Sequence, residues 1–292
     1  MADQLWGGHS MVAPLRRVLV YPPVPQDAAV DWEAFGYLRP VDHDMARDEH
    51  ETLRQLLTDA GIEVITGEID SGALQDAIFP YDPSYITDGG AIICRMGKGL
   101  REDETALNEA TMTDLGIPIV GRIESPGTVE GGDCLWIDRG TMAVGRGYRT
   151  NQSGIDQLSA MMAGQQVEVL AFDLPYWNGP SECLHLLSLI SMIDDDLAVV
   201  HKPLMPVALV QLLEARGIEM VEIPDDEFVS QGTNVLVTAP RRAILLRENV
   251  GTAERLRAAG CDVALLKGDE ISHNRTGGPT CLTRPILRSV EG

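Results

Sequence analysis

The chain has 292 residues, of which 44% are hydrophobic and 23% are charged, a composition typical of a globular protein with a sizeable core. Its formal net charge of -21 at pH 7 disfavours nucleic acid and anionic membrane surfaces as partners, because both would repel it. No apolar run approaches the length that crosses a membrane, and residues 1–17 lack the apolar core of a signal peptide.

The cysteines predict a reduced protein in the cytoplasm. There are five of them, an odd number, and none lies close to another or at a spacing typical of a metal site. They are Cys94, Cys134, Cys183, Cys261 and Cys281.

A pattern of strand, helix and strand recurs five times along the chain. Each helix carries apolar residues at three- and four-residue spacing, and in several units a glycine stands just before the second strand, where a helix C-cap belongs. The predicted helices lie near residues 44–60, 102–115, 151–163, 205–216 and 250–259. An apolar strand is predicted before each helix and another after it.

Five α/β units of roughly 50 residues predict a repeat architecture closed around a central axis, in a single domain over residues 1–292. A doubly wound open sheet is the alternative, since strands also alternate with helices in that fold. It would normally carry a glycine-rich phosphate turn after its first strand, where Tyr21–Pro25 is rich in proline instead. The loop Tyr21–Phe35 is a candidate flap, with a passive surface loop as the alternative.

Acidic motifs in the middle of the chain suit a cationic ligand. Glu130 and Asp133 flank a pair of glycines, which would let backbone and carboxylates approach a planar cation together; an acidic hairpin turn is the alternative. Asp82 lies between two prolines just before a predicted strand. Arg101 and Arg149 offer positive charges, although each taken singly is more often a solvated surface group. Together these residues suit a zwitterionic substrate, such as an amino acid with a basic side chain.

Two further residues are candidates for catalysis. Cys281 follows Gly277-Gly278-Pro279-Thr280, a tight setting that presents a thiol for nucleophilic attack, with a buried structural cysteine as the alternative. His185 lies in an otherwise apolar run, where a histidine is more often a satisfied core group. Its importance depends on whether it reaches Cys281.

The ordered set of these motifs resembles the guanidino-group-modifying hydrolases, most closely the dimethylarginine dimethylaminohydrolase branch. The matching segments are Ser10–Val20, the Glu-Gly-Gly-Asp motif at Glu130, Arg149–Asn151, the region around His185, and Gly277–Thr283. The resemblance implies a five-fold pseudosymmetric α/β propeller, the pentein fold. It also implies a homodimer.

The resemblance also implies roles for individual residues. Cys281 would be the nucleophile and His185 the general acid/base, while Glu130 and Asp82 would hold the guanidinium. Arg149 and Arg101 match the substrate-binding arginines of the family, with Arg149 the better match for a residue that binds the α-carboxylate.

The expected reaction passes through a covalent thiouronium intermediate, gives citrulline or another ureido product plus an amine, and needs no metal or organic cofactor. Two positions depart from the family pattern. The acidic residue before the Asp82 position is Tyr81 here, which leaves the guanidine substituent open, and His185 lacks the His-x-Asp pattern of arginine deiminases. An amidinotransferase and a non-catalytic amino-acid-binding propeller are the alternative functions.

Overall fold

The computed structural model describes residues 5–25, 27, 30–69, 71–180, 182 and 184–289. Within these residues the helices are α1 (His43–Asp59), α2 (Glu104–Asp114), α3 (Gln152–Ala163), α4 (Val207–Ala215) and α5 (Val250–Ala258). The strands are β1 (Leu15–Val20), β2 (Glu63–Thr66), β3 (Ser84–Thr87), β4 (Gly90–Ile93), β5 (Ile119–Arg122), β6 (Cys134–Asp138), β7 (Thr141–Arg146), β8 (Glu168–Asp173), β9 (Ile190–Asp194), β10 (Leu197–Val200), β11 (Glu219–Glu222), β12 (Leu236–Ala239), β13 (Arg242–Leu246), β14 (Asp262–Leu266) and β15 (Arg284–Arg288).

The described strands form five separate sheets of three strands, all with the same topology. In each sheet the middle strand pairs antiparallel with one neighbour and parallel with the other, and one of the five helices connects the parallel pair. Four sheets use consecutive strands, while the remaining sheet has the order β15-β1-β2. The prediction of five repeated α/β units is confirmed, and the alternative of one open, doubly wound sheet is wrong.

The local sequence explains how each helix begins, ends and packs. The side chain of Asp42 caps the start of α1 by accepting a hydrogen bond from the backbone N–H of Met45, and the helix buries Leu53 and Leu57 on one face. At its end Gly61 has a φ of +77°, in the left-handed region that glycine adopts without strain.

A residue with the same left-handed backbone conformation stands before the last strand of each of the other four units. It is Gly116, Gln166, Gly217 or Gly260, with φ angles of 71°, 60°, 70° and 83° respectively. The predicted C-cap glycines are therefore confirmed in four units, and a glutamine takes this position in the third.

The strand at the antiparallel edge of each sheet was only partly predicted. Of these five strands, β3 was expected from the position of Asp82, and β6 coincides with the apolar run 134–137. The antiparallel partners β9, β12 and β15 are new. Each of these strands is short, and β12 and β15 contain polar residues, so their alternation is weak as a sequence signal.

These edge strands line a common cavity. It is bordered by Tyr85 and Ile86 of β3, Trp136 of β6, Met192 of β9, Leu236 and Val237 of β12, and Arg284, Pro285 and Arg288 of β15, together with residues from 7–11. One strand from every sheet therefore faces the same central space. None of the helices in the described ranges has both the length and the apolar character needed to span a membrane.

Candidate active site

The predicted site residues occupy equivalent positions in different units. Asp82 lies just before β3, Glu130 before β6, His185 before the short helical turn that leads into β9, and Cys281 before β15. Because these edge strands face one another, residues that are far apart in sequence meet at one end of the fold.

Cys281 is held by a residue that the sequence analysis missed. Asn234, just before β12, donates a hydrogen bond through Nδ2 to the sulfur of Cys281 at 3.1 Å, and its Oδ1 accepts one from the backbone N–H of Thr280 at 3.0 Å. Both bonds come from one amide, so the thiol and its loop are fixed together. Asn234 takes in the fifth unit the position that Asp82 and Glu130 take in theirs. This repeat of position between units is the signal from which the sequence could have identified Asn234.

The thiol of Cys281 is protonated at neutral pH in this structure. Burial and, to a smaller extent, the negative charge of Asp82 raise its pKa to about 11. Hydrogen bonds from Asn234 and the Gly278 backbone, and the nearby His185, act in the opposite direction but are outweighed. Cys281 itself is partly exposed, so a ligand can reach it. A positive charge placed beside the sulfur would favour the thiolate.

His185 lies between two carboxylates. Its Nε2 donates a hydrogen bond to Oε2 of Glu130 at 2.7 Å, and its Nδ1 is 3.9 Å from Oδ1 of Asp82. The imidazole is buried. A ring flanked by two negative charges is well placed to carry a proton, which is the requirement for a general acid.

Glu130 is buried but remains ionised. Burial alone would raise its pKa, but the hydrogen bond from His185 and the positive charges of His185, Arg149 and Arg101 hold the pKa below the usual range. Its Oε1 accepts hydrogen bonds from the backbone N–H groups of Gly97 and Lys98 at 2.9 and 3.1 Å. Its Oε2 accepts one from Arg149 at 3.0 Å. Glu130 therefore already binds a guanidinium, that of Arg149.

Asp82 is the second carboxylate beside His185. Its Oδ1 accepts a hydrogen bond from the backbone N–H of Gly132 at 2.9 Å, and its Oδ2 accepts one from Arg101 at 2.6 Å. Both oxygens are thus held by the protein, and Oδ1 is the oxygen that also lies near His185. Asp82, Glu130 and His185 offer ligand atoms within 4.8 Å of one another, a donor set that suits a cation.

Arg101 is a buried residue that contacts Asp82. It is only 4% exposed and donates hydrogen bonds to both carboxylate oxygens of Glu104 at 2.8 to 3.0 Å, as well as to Asp82. Another of its donors reaches the carbonyl oxygen of Phe79. The guanidinium is therefore engaged by the protein and fixes Asp82. Direct contact of Arg101 with a substrate stays a prediction.

The paired glycines allow the site to pack tightly. A Cβ on Gly132 would overlap the ring of His185, and one on Gly131 would overlap the carbonyl oxygen of Tyr81. Asp133 follows them and accepts a hydrogen bond from the backbone N–H of Leu186 at 2.9 Å. Burial raises the pKa of Asp133 to about 6. Asp133 is fully buried and supports the turn after His185, and its predicted contact with substrate stays untested.

Arg149 borders a second cavity next to the catalytic groups. This cavity has a volume of about 300 Å³ and is lined by Arg149, Tyr148, Tyr176, Glu182 and Leu184, among others. Arg149 also donates a hydrogen bond to Glu130, the partner of His185, so the cavity lies next to the catalytic groups. Tyr148 and Tyr176 are both exposed and meet in a T-shaped contact, with ring centroids 6.4 Å apart.

The predicted flap at residues 21–35 lies partly outside the described residues, since 26, 28 and 29 are among those not described. Its carboxyl end is attached near the site, because Lys98 donates a hydrogen bond to the carbonyl oxygen of Phe35 at 2.7 Å. Lys98 also forms an ion pair with Asp76 at 2.9 Å. Whether the segment moves stays a prediction.

A family model matches most of the chain, and curated relatives match over similar lengths. The model described as arginine deiminase matches residues 73–210 and 202–288. The N(G),N(G)-dimethylarginine dimethylaminohydrolase of Streptomyces coelicolor is 29% identical over 244 residues, which cover 83% of this chain and 86% of that protein. An arginine deiminase of Listeria welshimeri is 26% identical, covering 74% of this chain and 62% of that protein.

Solved structures share the fold. The dimethylarginine dimethylaminohydrolase of Pseudomonas aeruginosa, in complex with citrulline, superposes with a TM-score of 0.76 at 22% identity and covers 92% of this chain and 98% of that one. SxtG, an amidinotransferase from Microseira wollei, superposes with a TM-score of 0.80 at 14% identity over 98% of both chains. At these identities the likeness concerns the fold.

Proposed function

The chain belongs to the arginine deiminase family, and from this premise we propose that it is a hydrolase that cleaves a C–N bond of a methylated or otherwise substituted arginine. The observation that carries the proposal is the arrangement of Asp82, Glu130 and His185 next to the Cys281 loop. Two buried carboxylates flank an imidazole there, and one of them already binds a guanidinium. The product would be citrulline or another ureido compound, together with an amine.

The substrate guanidinium binds between Asp82 and Glu130 and activates the nucleophile. Carboxylates bind a guanidinium in its plane and prevent its rotation, which holds the central carbon in place for attack. The bound cation lowers the pKa of the Cys281 thiol from its raised value in the free protein. The enzyme therefore forms the Cys281 thiolate when the substrate is bound. Without substrate the Cys281 thiol stays protonated and unreactive.

His185 carries the protons of both half-reactions. The Cys281 thiol gives up its proton to solvent as the guanidinium binds, the thiolate attacks the guanidinium carbon, and the imidazolium of His185 protonates the leaving nitrogen as the C–N bond breaks. A cationic thiouronium remains on Cys281. Water then attacks its carbon and gives a proton to His185, the C–S bond breaks, and the ureido product leaves while the proton lost overall ends on the released amine. Glu130 stabilises the imidazolium throughout.

The remaining site residues hold the substrate and the carboxylates. Arg149 binds the α-carboxylate of the amino acid, for which the adjoining cavity of about 300 Å³ has room. Arg101 acts through Asp82, whose orientation it fixes, and Asp133 supports the turn at His185. No metal or organic cofactor takes part in this mechanism.

We also infer that the five units surround a pseudo-fivefold axis, as in a propeller, within a single catalytic domain over residues 1–292. The cavity lined by one strand from each sheet supports this arrangement, as do the equivalent positions of the site residues in their units. A homodimer and a cytoplasmic location stay predictions from the sequence.

The test is formation of ureido product and released amine from arginine, monomethylarginine, dimethylarginine and short guanidines, with wild type compared with Cys281→Ser. Turnover of a methylated arginine that the variant lacks supports the proposal in full. Turnover of another guanidine keeps the chemistry and changes the substrate. A new guanidine formed only when an amine acceptor is added identifies an amidinotransferase, and binding without any reaction overturns the enzyme assignment.

A further inference from the structure

The central cavity contains positive charge that no carboxylate of the described residues balances. Arg284 and Arg288 line it and are only 3% and 4% exposed, and neither forms an ion pair with an acidic side chain among the described residues. Arg284 donates to the carbonyl oxygen of Tyr81 at 2.9 Å, and Arg288 donates to the carbonyl oxygens of Ala13 and Val237 at 2.7 and 2.8 Å. Carbonyl oxygens orient these guanidinium groups but do not neutralise them.

Aromatic rings provide the remaining compensation for Arg284. Its guanidinium lies over the ring of Tyr81 at 3.9 Å and over that of Tyr85 at 5.4 Å from the centroids. Such contacts offset only part of the cost of burying an unpaired charge. Burial and the neighbouring charge of Arg284 also lower the pKa of Arg288 to about 10. Two buried cations therefore destabilise each other in a space with little other compensation.

Three polar atoms of the residues that line this cavity have no hydrogen-bond partner among the described residues. They are Nε of Arg284, the hydroxyl oxygen of Tyr85 and Oγ1 of Thr280, all of them buried. The arginine Nε–H can only donate, and the two hydroxyl groups can also donate. Buried donors of this kind normally have an acceptor, so three of them at one cavity indicate an acceptor that the protein itself does not supply.

We propose that the central cavity binds a small monovalent anion of halide size, with chloride as the natural occupant. An anion accepts hydrogen bonds from all three donors and supplies the missing negative charge, whereas a water molecule supplies only the hydrogen bonds. The cavity has a volume of about 30 Å³, which is enough for one small anion. Thr280 directly precedes Cys281 and Arg284 follows it by three residues, so the bound anion anchors the loop that carries the nucleophile.

The direct test is a crystal of the full-length protein soaked in bromide, whose anomalous scattering identifies the ion. We expect a bromide peak in the cavity within hydrogen-bonding distance of Nε of Arg284 and the hydroxyl of Tyr85. A cavity with ordered water and no anomalous peak overturns the proposal. Bromide on the outer surface alone overturns it as well.

A solution measurement tests the same site independently of crystals. A ligand that binds only the folded state raises the melting temperature with its concentration. We therefore expect sodium chloride to stabilise the protein more than sodium methanesulfonate at equal ionic strength. The variant Tyr85→Phe keeps the ring but loses one donor, and it should need about tenfold more chloride for the same stabilisation, equivalent to about 1.4 kcal/mol. Equal stabilisation of wild type by both salts contradicts the proposal.

Discussion

The side-chain amide of Asn234 bonds the sulfur of Cys281 and the backbone of Thr280 at once, at 3.1 and 3.0 Å. Replacing Asn234 by Asp keeps the shape but puts a carboxylate beside the thiol, which raises the pKa of Cys281 further. A hydrogen bond to a charged group is worth about 1.5–3 kcal/mol, so we expect kcat to fall by about 10- to 100-fold. Steady-state kinetics with the preferred guanidine measures the change.

The variant Asn234→Ala provides the comparison, because it removes the donor without adding charge. It should lose less activity than Asn234→Asp. Equal activity of both variants and wild type would show that Asn234 does not influence the thiolate.

The reactivity of Cys281 should depend on both pH and ligand. Because its pKa is raised to about 11 in the free protein, the thiol is protonated at neutral pH, and alkylation should be slow there and accelerate as pH rises toward 11. A bound guanidinium analogue that leaves the sulfur accessible should move this profile to lower pH. Alkylation by iodoacetamide, with Cys281→Ser as the blank for other cysteines, gives both curves. A profile that the analogue leaves unchanged contradicts activation by the substrate.

Arg101 should contribute chiefly to stability. The variant Arg101→Met leaves Glu104 and Asp82 buried without their cation, and breaking such a buried network costs about 3–5 kcal/mol. Chemical denaturation measures the free energy of unfolding. The matched control is Arg122→Met, which breaks a more exposed ion pair with Glu109 and should cost far less stability, because solvent screens that pair. Unchanged stability with a raised KM would instead indicate that Arg101 contacts the substrate.

Arg149 should distinguish substrates by their carboxylate. In Arg149→Ala we expect KM for an arginine-derived substrate to rise by about 10- to 100-fold, which corresponds to loss of about 1.4–2.8 kcal/mol of binding. A short guanidine without a carboxylate should keep its KM, apart from the effect of releasing Glu130. Equal losses for both kinds of substrate would assign Arg149 to the guanidinium subsite.

The sequence predicted repeated units and the principal candidates for the site, because both depend on strong local signals. Glycines at helix ends and apolar periodicity identify the units, and the glycine-flanked Glu130 and Cys281 stand out from their surroundings. Asn234 could not be found this way, since its neighbours are ordinary turn residues and its role depends on a contact with Cys281, 47 positions away. The environment of Arg101 was equally hidden, because burial is a property of the assembled fold.

The pairing of β15 with β1 has a consequence for how the enzyme is made. These strands lie at opposite ends of the chain, with Leu15 opposite Arg288, yet β15 directly follows the nucleophilic loop. A nascent chain can form the four sheets of consecutive strands, from β3-β4-β5 to β12-β13-β14, as each is synthesised. Cys281 is held beside Asn234 and His185 only when β15 joins β1. Contacts this distant in sequence form slowly. Catalytic activity should therefore appear late in folding, and chains truncated before residue 284 should be inert however well their helices form.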